Sequence, residues 1–259
     1  MKRHMTRALP LLVLGGLLGA WECYVDLSGV DEDVLPAPHA VARALWDHAD
    51  VIWRNFTVTA VEVGLGLGLA LVCGFVLAAA MHLAPLLRRA LYPLAVGSQA
   101  LPIPVIGVPL VFWWGFGIFP KLVVVALICF FPVLVTTVDG LAAVDRDQPK
   151  LLRTLDATRW QAFRFAELPA ALPAALSGAR IALAVGVIGA FIAETTTPTT
   201  GLYPGLGREI VSDINSFDTA GAYASTVVLF AFAVTCFYAL ALAERRLSPW
   251  RTQPRGDTR

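Results

Sequence analysis

Few side chains in this sequence are placed to carry out a reaction. His4, His39, His48 and His82 form no metal-spaced pair, and Cys23, Cys73, Cys129 and Cys236 are scattered through apolar runs with no CxxC spacing. That pattern argues against a zinc or dithiol site and predicts plain buried thiols. The sequence has no Ser/His/Asp arrangement and no GxxxxGK[ST] phosphate loop. No catalytic residue, metal or cofactor is therefore expected, and this chain carries no phosphate loop for nucleotide hydrolysis.

What remains is recognition by isolated polar groups in apolar surroundings. Glu62 closes the run Thr57-Val58-Thr59-Ala60-Val61-Glu62. A carboxylate in such a run faces a cavity or a partner, so two readings stand: a hydrogen bond to Thr59 or a neighbouring helix, and a polar contact for a small solute. Glu194 precedes Thr195-Thr196-Thr197-Pro198-Thr199-Thr200-Gly201 and belongs to a solvated mouth or to a gate. Asp139 is available to arginines of the following loop, and Arg180 either snorkels or pairs across a helix bundle. Pro102, Pro104 and Pro109, with Gly107 among them, remove backbone donors within one apolar stretch. Such backbone survives in lipid only where protein or a water-filled cavity satisfies it, which marks either a kinked packing helix or a pore-lining segment.

The elements that hold these groups follow from composition. Of 259 residues, 57% are hydrophobic and 15% charged, with a net charge of +1. Soluble domains average about 45–50% apolar and about 25% charged, so disorder, a basic nucleic-acid binder and an ordinary cytosolic enzyme are excluded. Lipid is the expected solvent. A bilayer core needs roughly 20 apolar residues per helix, and six stretches meet or nearly meet this: Leu9–Tyr24, Thr57–Leu83, Leu91–Trp114, Leu122–Leu141, Leu168–Ala193 and Ala220–Ala243. The first is read as a retained helix, because Trp21-Glu22-Cys23 is a poor cleavage site for a signal peptide. Gly64 and Gly68 share a face suited to close helix packing. Leu35-Pro36-Ala37-Pro38 reads as an extended turn, and His39 to Trp53 as a helix along the interface.

Charge sets the expected orientation. Of 20 lysines and arginines, only Arg43, Arg54, Lys121 and Arg208 fall outside when the N-terminus is cytoplasmic, and Arg180 lies within a span. The rest are then cytoplasmic, as short basic loops are, and both termini are inside.

The longest cytoplasmic connection is Lys150 to Pro173 (KLLRTLDATRWQAFRFAELPAALP). At helical periodicity Leu151, Leu155, Ala162 and Ala166 share a narrow arc, but Arg159 interrupts it. Two short helices with a bend near Asp156-Ala157-Thr158 are expected. The element is either an interfacial helix anchored by Trp160 or a rigid projection that docks into a partner.

Here the sequence resembles the membrane permease subunits of bacterial ATP-binding-cassette importers, in the branch for nitrate, sulfonate, taurine and thiamine-precursor substrates. Thr158-Arg159-Trp160-Gln161-Ala162-Phe163-Arg164 and Leu168-Pro169-Ala170-Ala171-Leu172-Pro173 match that branch. So do Leu35-Pro36-Ala37-Pro38, the run from Leu101 to Gly117, and Gly205-Leu206-Gly207. The family's Glu-Ala-Ala positions hold Lys150-Leu151-Leu152 instead, and its glycine is Asp156, a residue that tolerates the left-handed conformation.

The resemblance implies an all-α, polytopic, type I permease fold of about six transmembrane helices. It implies one domain over 1–259, with its core at 55–245 and a cytoplasmic coupling loop at 144–167. Arg153, Asp156, Ala157, Thr158, Arg159, Trp160 and Phe163 would then couple to a cytoplasmic ABC ATPase, while Glu62, Pro102, Pro104 and Glu194 line the substrate pathway. The implied partners are that ATPase, an extracytoplasmic solute-binding protein, a second permease copy, membrane lipid and a small solute, with no nucleic acid. Within the branch the segment from Arg159 to Pro173, the Gly115-Phe116-Gly117 turn and Glu62 look most like permeases for the pyrimidine precursor of thiamine, with alkanesulfonate, taurine or nitrate as the alternative. A proton-coupled secondary carrier and a membrane-embedded hydrolase are the rival classes. The first lacks the repeats such carriers show, and the second lacks any catalytic constellation.

Overall fold

The computed structural model describes residues 2–98, 102–145, 147–196 and 204–247. These form helices α1 (Lys2–Ser28), α2 (Pro38–Asp47), α3 (Ala49–Leu83), α4 (Pro85–Ser98), α5 (Ile103–Trp114), α6 (Ile118–Ala142), α7 (Asp147–Thr154) and α8 (Arg159–Ala162). A π-helical turn over Phe163–Glu167 then leads into α9 (Leu168–Thr196), followed by α10 (Leu206–Asn215) and α11 (Thr219–Leu247). There is no strand among the described residues.

Four helical stretches are long and apolar enough to cross a membrane: Ala49–Leu83, Ile118–Ala142, Arg159–Thr196 and Thr219–Leu247. The expected third span, Leu91–Trp114, is not one helix. It is divided between α4 and α5, because Pro102, at φ −70° and ψ 90°, precedes the first turn of α5. Proline fits that turn, where the missing N–H has no helical partner. The interfacial helix expected over His39–Trp53 also breaks. It stops at His48, and Ala49 already opens the 35-residue α3.

The chain groups into two compact units, Met1–Thr59 with Leu202–Phe230, and Ala60–Gly201 with Ala231–Arg259. In the first, Val41, Ala44, Ile52, Leu206 and Ala224 form the apolar cluster. The start of α10 is tied to α3 by two side chains one turn apart. Asn55 Oδ1 accepts from the Gly205 N–H at 3.2 Å, and Thr59 Oγ1 from the Leu206 N–H at 2.9 Å. Two of the orphan donors of a helix N-terminus are thereby satisfied. Asn55 also donates to Glu209 at 3.0 Å. Asp218 accepts from the Gly221 N–H at 3.0 Å at the start of α11 and faces His48 at 3.6 Å. Between these, partial burial and the nearby Glu209 and Asp218 carboxylates push the Asp213 carboxyl up to about 6, with His48 opposing the shift.

In the second unit α6 is the central helix. Val124, Val125, Cys129, Val133, Leu134 and Leu141 are buried along it. Small residues let its neighbours approach closely. A Cβ on Gly66 of α3 would lie 2.6 Å from Val125 Cγ1, and one on Gly74 would lie 2.9 Å from Val133 Cγ1. From α9, a Cβ on Gly186 would meet Cys129 Sγ at 2.5 Å, one on Gly189 would meet Ile128 Cδ1 at 2.7 Å, and one on Gly178 would overlap the Thr136 side chain. Gly64 and Gly68 are not the packing pair expected from their spacing. A Cβ there meets nothing within 4 Å, and Gly66, on another face, makes the close approach. Without water inside a bilayer, such backbone proximity is a main source of helix association.

Three outcomes follow. Gly66→Ala should lower the thermal unfolding midpoint of the detergent-solubilised protein, by overpacking that costs about 1–3 kcal/mol. Gly64→Ala should leave it unchanged or raise it, since alanine in a helix gains about 0.5–1 kcal/mol over glycine. The raised Asp213 makes the native state bind more protons than the unfolded chain between about pH 4 and pH 6. Its stability contribution is therefore lost as pH rises through that window. Unfolding midpoints measured across it should fall less steeply for Asp213→Asn than for the parent.

Candidate functional site

The register set by those glycines decides where the isolated charges meet. Gly66 faces Val125 and Gly74 faces Val133 at the same sequence offset. Carried one turn toward the other end of α3, that offset brings Glu62 to Lys121. The Lys121 Nζ lies 3.2 Å from Glu62 Oε1, with the two side chains 2% and 0% exposed. α9 runs antiparallel to α6, and the register that sets Gly178 beside Thr136 and Gly186 beside Cys129 carries Glu194 to the same level. Glu194 is fully buried and lies close enough for its charge to act on Glu62.

The unit therefore holds two carboxylates and an ammonium in its interior, where charges persist only when paired. Glu62 does not bond to Thr59, which is engaged with Asn55 and Leu206. Lys121 was missed as a site residue because its place near the start of an apolar run reads as a loop charge; only the register reveals its inward direction.

A second interior pair joins α9 to α11. Arg180 binds Glu244 and lies over the Phe237 ring at 5.4 Å, while Ser177 donates to Glu244 at 3.3 Å. This settles Arg180 as a cross-bundle partner. Asp139 accepts from Tyr92 at 3.5 Å and meets no coupling-loop arginine among the described residues. Of the cysteines, only Cys129 is fully buried, donating to the Ala182 carbonyl at 3.2 Å; Cys23 and Cys73 are exposed, so the expectation of four buried thiols fails.

One group of possible metal-ligand atoms comes together among the described residues: Glu22, Asp26 and His39. Glu22 accepts from the His39 backbone N–H at 3.2 Å and lies 2.5 Å from His39 Nδ1. Its carboxylate therefore serves as a side-chain cap for the first turn of α2.

The connection between α6 and α9 is the other candidate site, and it has the bent form expected. α7 ends at Thr154, and the Leu152 carbonyl accepts from both the Leu155 and Ala157 N–H groups. Asp156 takes φ +60°, the left-handed value that suits aspartate better than most side chains. Thr158 then caps α8 reciprocally with Gln161: the Gln161 N–H donates to Thr158 Oγ1 at 3.3 Å, and the Thr158 N–H to Gln161 Oε1 at 2.7 Å. This is a capping box.

Leu151, Leu155, Trp160 and Phe165 are exposed, whereas Ala162 and Phe163 are buried. The single arc of Leu151, Leu155, Ala162 and Ala166 is thus broken by the bend. Phe163 turns into the bundle, packing with Ala78, Met81, Leu134, Val138, Leu141 and Ala171. Asp156, Thr158 and Arg159 are exposed and Ala157 half-buried. The side chains of Arg153 and Pro104, and all of Thr197–Gly201, fall outside the described residues. Pro102 is exposed at the start of α5, not grouped with the buried charges.

Residues 70–250 match the family described as the binding-protein-dependent transport system inner membrane component. The chain is 32% identical over 252 residues to the formylaminopyrimidine transport permease protein ThiX of Halalkalibacterium halodurans, covering 97% of this chain and 99% of that protein. It is 28% identical over 258 residues to the taurine transport system permease protein TauC of Escherichia coli, covering 96% and 91%. The crystal structure of an amino acid ABC transporter with histidines superposes with a TM-score of 0.60 at 18% identity, over 78% of this chain and 96% of that one, a likeness of fold. With the family match over most of its length and a relative of that identity from end to end, this chain belongs to the binding-protein-dependent inner-membrane components, the permease subunits of ABC importers, and is a transport subunit and not an enzyme.

Proposed function

We propose that the chain is the membrane half of an importer in which residues 144–167 dock on a cytoplasmic ABC ATPase, and two copies of a single permease domain enclose the path of a solute delivered by an external binding protein. The observation that carries this reading is the bent element between α6 and α9. It presents Leu151, Leu155 and Trp160 outward while Phe163 anchors it in the core. An apolar surface on a loop at a helix end has no reason to face water unless a partner or lipid covers it. Arg153, Asp156, Ala157, Thr158, Arg159 and Trp160 belong to the docking side, and Phe163 transmits its movement to the bundle. The positive charge around this element supports a cytoplasmic position for it and for both termini.

The solute is a small nitrogen heterocycle of the thiamine-pyrimidine type. Support comes from the relative named for formylaminopyrimidine, matched along nearly the whole chain. It also comes from two cations of the spanning helices: Lys121 and Arg180 each already hold a carboxylate, whereas a sulfonate site would need a cation turned toward the solute. The taurine relative keeps an alkanesulfonate as the alternative. Glu62 and Glu194 act on the path from behind its wall, as the charged core of the helices that open and close it, and Pro102 and Pro104 act at the broken segment that bends with them.

Reconstitution of the permease with its ATPase tests the docking. Leu155→Glu with Trp160→Glu should abolish substrate-stimulated ATP hydrolysis and release the ATPase on purification, while the unfolding midpoint stays near the parent value. Unchanged stimulation would refute the docking. The cognate binding protein tests the solute: calorimetry should show tight binding of an aminopyrimidine and none of taurine, and the reverse result would transfer the assignment to sulfonates.

A further inference from the structure

The coupling element is joined by the chain to α6 and α9, yet its polar contacts also reach a third helix. His82 lies in the last turn of α3. Its Nε2 is 2.7 Å from Glu167 Oε2, with the two side chains 21% and 17% exposed. Its ring lies 5.9 Å from that of Phe163. Its backbone carbonyl, one of those a helix C-terminus leaves without a partner, accepts from the Arg159 guanidinium at 3.4 Å. Ala78 and Met81, on the same end of α3, pack against Phe163.

Three kinds of contact therefore converge on one turn of α3 from α8 and the π-helical turn. Such turns replace the regular ladder with a wider one and recur at functional sites. None of these contacts follows from chain connectivity, because His82 and Glu167 are far apart in sequence and belong to separate helices.

We infer that His82 and Glu167 form a joint between the coupling element and α3, so that a displacement of the element moves α3 directly as well as α6 and α9. The inference rests on the proposed docking of residues 144–167 to an ATPase. α3 is the helix that carries Glu62 at its other half, paired to Lys121 of α6. A pull at His82 thus acts along a continuous helix on the buried charges at the far end, and helices transmit such displacements because their packed interfaces switch between discrete arrangements. His82 and Glu167 are positioning residues: neither meets solute or nucleotide, and their effect passes through α3.

The test uses the whole transporter with its ATPase in proteoliposomes. His82→Phe keeps a ring against Phe163 and removes the nitrogen; Glu167→Met keeps the length of the side chain and removes both oxygens. His82→Phe, which lies outside the docking segment, should retain the ATPase on purification and its basal hydrolysis. Solute moved per ATP should fall on the order of tenfold, within the usual span of coupling between sites. The double variant should be no worse than either single one, because both remove the same contact. Solute moved per ATP at the parent ratio in either single variant, or losses that multiply in the double variant, would overturn the joint. Those results leave the docking reading intact, since that reading fails separately if the Leu155 and Trp160 variants stay coupled.

Discussion

The close approach of α3 and α9 to α6 is the constraint on which the rest of the second unit depends. Where Gly66 meets Val125 and Gly178 meets Thr136, there is no room for a side chain, so the three helices cannot slide without a collision. In lipid the apolar surfaces themselves give little drive to associate, and steric fit takes over that role. Once the fit is set, every other pairing along the helices is set with it. Lys121 has to arrive beside Glu62, and Glu194 at the same level, because each lies at the end of a register begun several turns away. The buried ion pair is thus a consequence of glycine packing more than a cause of it. Its desolvation cost, several kcal/mol per ion in general, is offset only while that register holds. Any shift of α3 relative to α6 is opposed by charges that have no water to turn to.

At the other end of the same helices the anchoring is mixed. Phe163 supplies apolar burial, His82 and Glu167 a polar contact, and Arg159 a cap on the end of α3. His82 and Glu167 are partly exposed, which makes their contact easier to rearrange than that of Glu62 and Lys121. A stiff charged core at one end and a more yielding joint at the other suit the proposed coupling, in which force enters at the joint and reaches the core. The bend at Asp156 and the reciprocal Thr158–Gln161 cap keep α7 and α8 from merging into one straight rod, and Leu151, Leu155 and Trp160 stay exposed along the bent element.

Much of this protein is legible in its sequence. Excess apolar composition determined the solvent, and the length of the apolar runs located α3, α6, α9 and α11. The Asp156-Ala157-Thr158 bend followed from a broken apolar face, and the segment from Thr158 to Pro173 identified the family. These features are local: propensity, periodicity and capping act within a turn or two of chain. The third expected span is broken at Pro102 for a local reason, since proline begins a helix better than it continues one.

What only the tertiary structure decided is which distant residues meet. Gly64 and Gly68 have the spacing of a packing face, yet Gly66 and Gly74 make the contact, because the rotation of a helix about its axis is chosen by its neighbours. Lys121 reads as a loop charge in sequence and is nearly inaccessible in the fold. His82 and Glu167 carry no mutual signal at all until α3 and the π-helical turn are brought together. Pattern determined the helices and their solvent, because hydrophobic burial needs only the order of residues along one segment. Partnership was left to packing, because it depends on the relative rotation and slide of segments that the order of residues does not specify.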